Sequence, residues 1–296
     1  MKAMILAAGL GTRLKPLTDT IPKALVELNG RTLLEITIAR LKTFGVTEFI
    51  VNVHHHAEKI MGFLGAKNNF STRIEISRED DLLLDTGGGL KKAAWFFLEG
   101  NSTEPFFLHN VDVLSSIDLH QMLAAHKKSS AVATLAVQER KSSRQLLFDE
   151  QNLLVGRRIN NIDTFVSRAT TREVSETDGH PEHSPGSAFS SRSFTPPAPG
   201  VVPGSDVREG PLVYPGRSVR GAVPTPLAFS GIHVLSPRLL RLITESGAFS
   251  IIDTYLRLAT SGEKISAFRA DSFYWRDLGR LEDLREAADD SRRGTE

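Results

Sequence analysis

The segment from residue 6 to residue 25, LAAGLGTRLKPLTDTIPKAL, constrains the fold of this chain more than any other. It begins inside an apolar run, residues 3–8, that is typical of a fully buried strand. Two small residues, Gly9 and Gly11, follow this run and let backbone N–H groups approach an anion closely. We therefore expect a buried strand that ends in a loop built to hold phosphate groups.

Two cations follow the glycines: Arg13, and Lys23 directly after Pro22. Fixed cations beside a glycine-rich loop suit the charge of a nucleoside triphosphate. The segment does not match the Walker pattern G-x-x-x-x-G-K-[ST]. It also lacks the third glycine of the dinucleotide-binding G-x-G-x-x-G motif, because Leu14 stands in that place. A nicotinamide dehydrogenase is therefore excluded, and a triphosphate is the expected ligand.

Strand-like and helix-like patterns alternate along most of the chain. Beyond residues 3–8, strands are predicted at residues 49–53, 72–77, 105–109, 131–137, 227–235 and 265–269. Helices are predicted at residues 32–44, 58–64, 90–98, 118–128, 237–243, 251–259 and 281–288. Residues 146–148 and 153–155 form a predicted hairpin around a polar turn. This alternation predicts an α/β fold with a doubly wound, mostly parallel, Rossmann-like sheet.

The composition changes between residues 157 and 225. These 69 residues hold nine of the fourteen prolines and few periodic apolar residues. Such a segment buries too little apolar surface to offset its chain entropy. We expect one domain spanning residues 1–296, interrupted by a disordered insertion at 157–225.

Charge and cysteine content limit the partners and the cellular compartment that we expect for this protein. The formal net charge is +1, so no broad field for nucleic acid or a membrane surface is expected. Cysteine is absent, which excludes a disulfide framework and fits a cytoplasmic protein. The apolar run at the N-terminus is too short for a signal peptide, and no stretch approaches the roughly 20 apolar residues of a membrane span.

The N-terminal segment resembles the signature of the sugar-1-phosphate nucleotidyltransferases, or NDP-sugar pyrophosphorylases. That signature reads L-A-x-G-x-G-x-R-x-x-P-L-T followed by P-K, and the resemblance continues over residues 1–137 and 227–288. It implies transfer of a nucleotidyl group from an NTP to a sugar 1-phosphate, with release of pyrophosphate and Mg²⁺ as cofactor. It also implies a small sugar-side subdomain and leaves homo-oligomerisation open.

The resemblance implies a role for each matching residue. The nucleotide would contact Leu6, Ala7, Ala8, Gly9, Gly11, Thr12, Arg13 and Gly88. Arg13, Lys23 and Asp112 would carry catalysis. Asp112 and Asp277 would bind Mg²⁺. Asn52, Ser230 and Gly231 would contact the sugar phosphate.

The position of Asp112 also supports its assignment as a magnesium ligand, since it follows the predicted strand at 105–109. Open α/β sheets bind ligands at the carboxyl ends of their strands, and Mg²⁺ prefers one or two carboxylates with phosphate oxygens. Two departures from the family pattern stand near the carboxylates: Val111 replaces a usual glycine, and Arg280 replaces a usual threonine after the W-R-D-L-G motif.

Other features leave alternatives open. The D-T-G-G-G run around Gly88 resembles uridylyl- and guanylyltransferases that act on N-acetylmuramate or mannose 1-phosphate. The Glu-Lys pair that many relatives carry before F-S-G-I is missing, so a non-catalytic, nucleotide-sugar-binding regulatory subunit is the alternative function. The three histidines at residues 54–56 are interpreted as a structural or solvated loop, because adjacent side chains point in different directions.

Overall fold

The apolar run at the N-terminus forms strand β1, Lys2–Leu6, which has a parallel partner on each side in a ten-stranded sheet. The computed structural model describes residues 1–166 and 223–293, all within one compact unit. The remaining strands of the described residues are β2 (Glu27–Leu28), β3 (Arg31–Thr32), β4 (Glu48–Val53), β5 (Arg73–Arg78), β6 (Phe106–Asn110), β7 (Val113–Ser115), β8 (Ala133–Gln138), β9 (Arg144–Phe148), β10 (Leu154–Ile159), β11 (Ile162–Phe165), β12 (Thr225–Leu235), β13 (Ile265–Arg269) and β14 (Trp275–Asp277). The α-helices of the same residues are α1 (Leu33–Thr43), α2 (Ala57–Ala66), α3 (Asp85–Lys92), α4 (Ala94–Leu98), α5 (Leu119–Ser129), α6 (Pro237–Leu242), α7 (Ile251–Thr260) and α8 (Leu281–Arg293).

The large sheet combines a parallel half with an antiparallel half. Strands β5, β4, β1 and β6 pair in parallel, and β8 pairs in parallel with β13. Strand β12 joins these parts, because it pairs antiparallel with β6, β8 and β9. The hairpin of β9 and β10 continues the sheet to β11 at its edge. The predicted α/β class and the predicted hairpin are confirmed.

Helices cover both faces of the sheet. Ala3 and Ile5 of β1 pack in one buried cluster with α1, α2, α5 and α8, whereas Met4 packs in a second cluster with α3, α4, α6 and α7. Successive side chains of a strand point to opposite faces, so one strand serves both clusters. This doubly wound arrangement leaves the carboxyl ends of the parallel strands open for a ligand. None of the described helices is both long and apolar enough to cross a membrane.

The predicted insertion starts too early in the chain. Residues 157–165 lie mostly in β10 and β11, which pair antiparallel with each other. Arg158 and Asp163 face each other across this pair and make two hydrogen bonds, of 2.6 and 2.9 Å. Cross-strand pairing and this bidentate ion pair stabilise an ordered structure for the segment, which its composition does not predict. The rest of the prediction, for residues 167–222, falls outside the described residues.

Three buried histidines make the stability of the fold dependent on pH. His109, His126 and His233 are 0, 3 and 1% exposed. Burial lowers the pKa of His109 and of His126 to about 4 and that of His233 to about 3. Hydrogen bonds accompany this burial, since Nδ1 of His126 lies 2.9 Å from Thr134 Oγ1 and Nδ1 of His233 lies 2.8 Å from the Tyr255 hydroxyl. The native protein therefore holds all three imidazoles neutral.

We expect the free energy of unfolding to fall as the pH is lowered from 7 to 5.5. An unfolded histidine has a pKa near 6.5, so between about pH 6.5 and pH 4 the unfolded chain binds more protons than the native protein. Between pH 7 and pH 5.5 the loss is about 1 kcal/mol per buried histidine. Urea titrations at the two pH values measure it. The variant His126→Gln should lose about one third of the pH dependence, and equal stability of the wild type at both pH values would contradict the prediction.

Candidate active site

The loop after β1 makes a sharp turn that depends on one glycine. Gly11 has a φ of 65°, and a Cβ atom there would lie 2.8 Å from Thr18 Cγ2 and 3.1 Å from Lys23 Cβ. Thr18 Oγ1 donates a hydrogen bond of 2.8 Å to the Gly11 carbonyl. Gly9 has open space where a side chain would stand. The loop is thus compact on its inner side and open to a ligand at Gly9.

A cavity of about 320 Å³ lies beside this loop, at the carboxyl ends of β1, β4 and β6. Its walls come from the loop, the strand ends and the start of α3. The lining residues are Leu6, Ala7, Ala8, Gly9, Lys23, Asn52, Leu83, Asp85, Thr86, Asn110, Val111 and Asp112. Seven residues predicted for the site, Leu6 to Gly9, Lys23, Asn52 and Asp112, are therefore brought together at one sheet edge.

Lys23 and Asp112 form an ion pair in the wall of this cavity, between Lys23 Nζ and Asp112 Oδ2. Lys23 begins a short 3-10 turn directly after Pro22, and Asp112 follows β6 by two residues. Their side chains are only 11 and 16% exposed, so solvent screens the pair little. The pair fixes one cation and one carboxylate at the cavity wall.

Asp277 does not line the cavity, but the fold brings it next to Asp112 from the far end of the chain. Strands β7 and β14 pair antiparallel, with Asp277 opposite Val113, and the Leu278 N–H donates a bond of 2.8 Å to the Asp112 carbonyl. Arg13 Nη2 lies 3.8 Å from Asp277 Oδ2. A Cβ atom at Gly279 would lie 2.5 Å from that same nitrogen, so the guanidinium packs closely against Gly279. The fold thus places Asp112, Asp277 and Arg13 on neighbouring segments.

Asn52 is held by hydrogen bonds at both ends of its amide. Its Oδ1 accepts a bond of 2.7 Å from the Ala7 N–H, and its Nδ2 donates one of 2.7 Å to Glu79 Oε1. Glu79 is 1% exposed and also accepts a bond of 2.9 Å from the Leu84 N–H. Sequence reasoning missed Glu79, although an acidic residue directly after a strand was a signal for it. Asn52 and Glu79 together position the backbone at the start of the glycine-rich loop and the segment that leads into α3.

Gly88 does not line the cavity, although the sequence assigned it to the nucleotide. It lies inside α3, which begins at Asp85, five residues before the predicted helix start. A Cβ atom at Gly88 would lie 2.4 Å from the Gly247 carbonyl oxygen. The glycines therefore let a helix pack closely against neighbouring backbone. Asp85, with a φ of 57°, and Thr86 face the cavity instead.

Ser230 and Gly231 pack behind the strand ends. Ser230 is fully buried, and its hydroxyl has no hydrogen-bond partner among the residues that the structure describes. Gly231 has a φ of 73°, and a Cβ atom there would lie 2.8 Å from Val113 Cγ2 and 2.9 Å from Asn110 Nδ2. These contacts give the small residues a packing role beside the cavity, and their contact with a sugar phosphate stays a prediction.

The histidines at residues 54–56 make separate contacts in the fold. His54 Nδ1 contacts the Glu79 carbonyl at 2.5 Å, and the rings of His55 and His56 lie 3.8 Å apart. Across residues 1–166 and 223–293, no three histidine, aspartate or glutamate side chains are grouped so that they could hold a metal ion. Asp112 and Asp277 together offer two carboxylates.

Comparison with known proteins relates about half of this chain to one protein family. Residues 2–146 match the Nucleotidyl transferase family model. Mannose-1-phosphate guanylyltransferase 1 of Arabidopsis thaliana is 38% identical over 140 residues, which are 46% of this chain and 38% of that protein. N-acetylmuramate alpha-1-phosphate uridylyltransferase of Caulobacter vibrioides is 44% identical over 112 residues, which are 37% of this chain and 45% of that protein. The matched part thus spans less than half the length of these curated relatives.

Solved structures share the fold at low sequence identity. HddC from Yersinia pseudotuberculosis, in complex with GMP-PN, superposes with a TM-score of 0.64 at 19% identity, covering 98% of this chain and 99% of HddC. The inositol-1-phosphate CTP transferase from T. maritima gives a TM-score of 0.61 at 15% identity, covering 97% of this chain and 93% of that protein. Residues 2–146 thus match the Nucleotidyl transferase family model, and the chain shares its fold with these solved structures.

Proposed function

We propose that this chain transfers a nucleotidyl group from an NTP to a sugar 1-phosphate and releases pyrophosphate. The observation that carries the proposal is the cavity wall in which Lys23 is paired with Asp112, beside the glycine-rich loop. In this reaction a phosphate oxygen of the sugar 1-phosphate forms a bond to the α-phosphorus. The bond from the α-phosphorus to the bridging oxygen breaks, and pyrophosphate leaves with the electron pair.

The protein's own residues act on charge and position. The attacking phosphate oxygen is already deprotonated near neutral pH, so the reaction needs no general base. Arg13 has a planar fork that matches phosphate oxygens, and we assign it to the triphosphate. Lys23 is held at the cavity wall, and we assign it to the α-phosphate, where negative charge develops. Positioning and charge stabilisation together suffice for a displacement at phosphorus.

The donor set of the site fits Mg²⁺. Asp112 and Asp277 lie on neighbouring segments, joined by the hydrogen bond from the Leu278 N–H to the Asp112 carbonyl. One or two carboxylates with phosphate oxygens and water form the usual magnesium shell in such sites. When bound, Mg²⁺ supplies positive charge that neutralises phosphate oxygens. Lys23 is the cationic partner of Asp112 in the fold.

We assign the nucleobase to the side of the cavity that Leu83, Asp85 and Thr86 form at the start of α3. The cavity volume of about 320 Å³ suits one nucleotide. The relatives named above act, by their names, on mannose 1-phosphate with a guanylyl group and on N-acetylmuramate 1-phosphate with a uridylyl group. We take these two pairs as the first substrates to test for this chain.

The test is pyrophosphate release with Mg²⁺, across UTP, GTP, dTTP and CTP against glucose, mannose and N-acetylmuramate 1-phosphates. We expect release with one nucleotide and one sugar phosphate above all other pairs. No release from any pair, together with measurable nucleotide binding, would favour the regulatory-subunit alternative. Loss of nucleotide binding as well would contradict the assignment of the glycine-rich loop.

A further inference from the structure

Arg140 is a half-buried cation that the site described so far does not use. It follows β8 by two residues, and its guanidinium lies 3.7 Å from the centre of the Trp275 ring. Its Nη2 donates a hydrogen bond of 2.7 Å to the Phe229 carbonyl. Its Nε is buried and has no hydrogen-bond partner among the described residues. The guanidinium is therefore held firmly while part of its donor capacity stays unused.

The charge of Arg140 also lacks a direct counterion. Over residues 1–166 and 223–293, no carboxylate lies within ion-pair distance of it. Burial lowers the pKa of Arg140, and the more distant negative charge of Asp277 opposes this effect. Arginine stays protonated at neutral pH even so. A partly desolvated cation without a counterion favours an anionic ligand, because the ligand replaces the interactions that burial removed.

The position of Arg140 relates it to the candidate active site. Trp275 and Asp277 are two residues apart on β14, so their side chains share one face of the strand. Trp275 Nε1 donates a bond of 2.8 Å to the Ser230 carbonyl, which fixes the ring that Arg140 covers. Arg140 thus contacts this segment at Trp275, two residues before Asp277, whereas Arg13 lies beside Asp277 itself and Gly279.

We propose that Arg140 binds the phosphate of the sugar 1-phosphate, on the Trp275 side of Asp277. This inference rests on the proposed nucleotidyl transfer. That reaction brings two anions together, and one arginine cannot hold both in separate positions. With the triphosphate assigned to Arg13, the second guanidinium neutralises the incoming phosphomonoester and orients its oxygen toward the α-phosphorus.

The variant Arg140→Gln tests the inference through two Michaelis constants. With the substrate pair that is active in the wild type, the KM for the sugar 1-phosphate should rise about tenfold to a hundredfold, as expected for loss of one charge-assisted contact. The KM for the NTP should stay within about twofold. Lys141→Gln is the matched control, since it removes an exposed charge one residue away and should leave both constants unchanged.

Other outcomes contradict the inference. An unchanged KM for the sugar 1-phosphate, or an equal rise of both constants, would assign Arg140 to packing on Trp275 alone. If Arg140→Gln does not fold, the same two Michaelis constants are measured in Arg140→Lys, which keeps the positive charge and loses the planar fork. A severalfold rise of the KM for the sugar 1-phosphate alone would then support the inference, and no rise would overturn it.

A binding measurement separates this inference from the proposed function. Inorganic phosphate is titrated calorimetrically into Arg13→Gln, which removes the competing guanidinium, and into Arg13→Gln/Arg140→Gln. A dissociation constant at least about tenfold higher in the double variant would support the Arg140 site even if no substrate pair releases pyrophosphate. Equal constants would overturn the site, whatever the assay of pyrophosphate release shows.

Discussion

Replacing Asp112 by asparagine is expected to lower kcat for pyrophosphate release by at least about 10³-fold, or about 4 kcal/mol of transition-state stabilisation. The carboxylate is the partner of Lys23 and lies beside the Asp277 segment. Asparagine has nearly the same shape but no charge. It would therefore hold neither the lysine nor a magnesium ion as the carboxylate does. Steady-state kinetics at saturating Mg²⁺ and substrates measure the loss.

The control for this prediction is Asp81→Asn, which removes one exposed carboxylate from the loop before α3. Its kcat should stay close to that of the wild type. Circular dichroism should show the same secondary structure for both variants, since Asp112 lies at the surface of the cavity and outside the apolar core. Wild-type turnover in Asp112→Asn would remove this carboxylate from the mechanism.

Gly88→Ala is expected to destabilise the protein by at least about 2 kcal/mol. The new Cβ would lie 2.4 Å from the Gly247 carbonyl oxygen and 3.0 Å from Leu84 Cβ. Because the first of these atoms belongs to the backbone, it cannot move aside by a rotamer change. Helix α3 would have to shift away from the Gly247 segment. Thermal unfolding should show a Tm lower by about 5 °C or more.

Gly62→Ala is the matched control within a helix. Gly62 lies in α2 with open space at its Cβ position, so alanine there should raise stability by up to about 1 kcal/mol. The pair of variants separates two roles for Gly88. An unchanged Tm in Gly88→Ala, combined with a higher KM for the NTP, would assign Gly88 to nucleotide contact, as the sequence predicts.

Local patterns in the sequence were sufficient for most of the helices and strands and for half of the predicted site residues. The apolar run before Gly9 indicated β1, and alternating periodicities indicated the α/β class. The glycines of the loop and the position of Asp112 after an apolar run indicated a phosphate site. Each of these signals depends on residues that are close in the chain, because backbone conformation and side-chain periodicity are local properties.

The start of α3 shows where local signals failed. Three consecutive glycines indicate a flexible turn, since glycine weakens a helix by about 1 kcal/mol relative to alanine. In the fold they lie inside the helix, because Phe249, Gly247 and Glu79 approach so closely that no side chain fits. Packing between distant segments outweighs the low intrinsic helix preference of glycine. That packing cannot be read from a single sequence.

Sequence alone determined which chemical groups this protein carries: a glycine-rich loop, Arg13, Lys23 and two carboxylates in motifs 165 positions apart. Only the tertiary structure decided which of them meet. Strand β14 lies beside β7, so Asp277 comes next to Asp112, and the same pairing brings Trp275 under Arg140. These contacts depend on long-range strand pairing and burial, which arise from the whole core and leave no local pattern in the sequence.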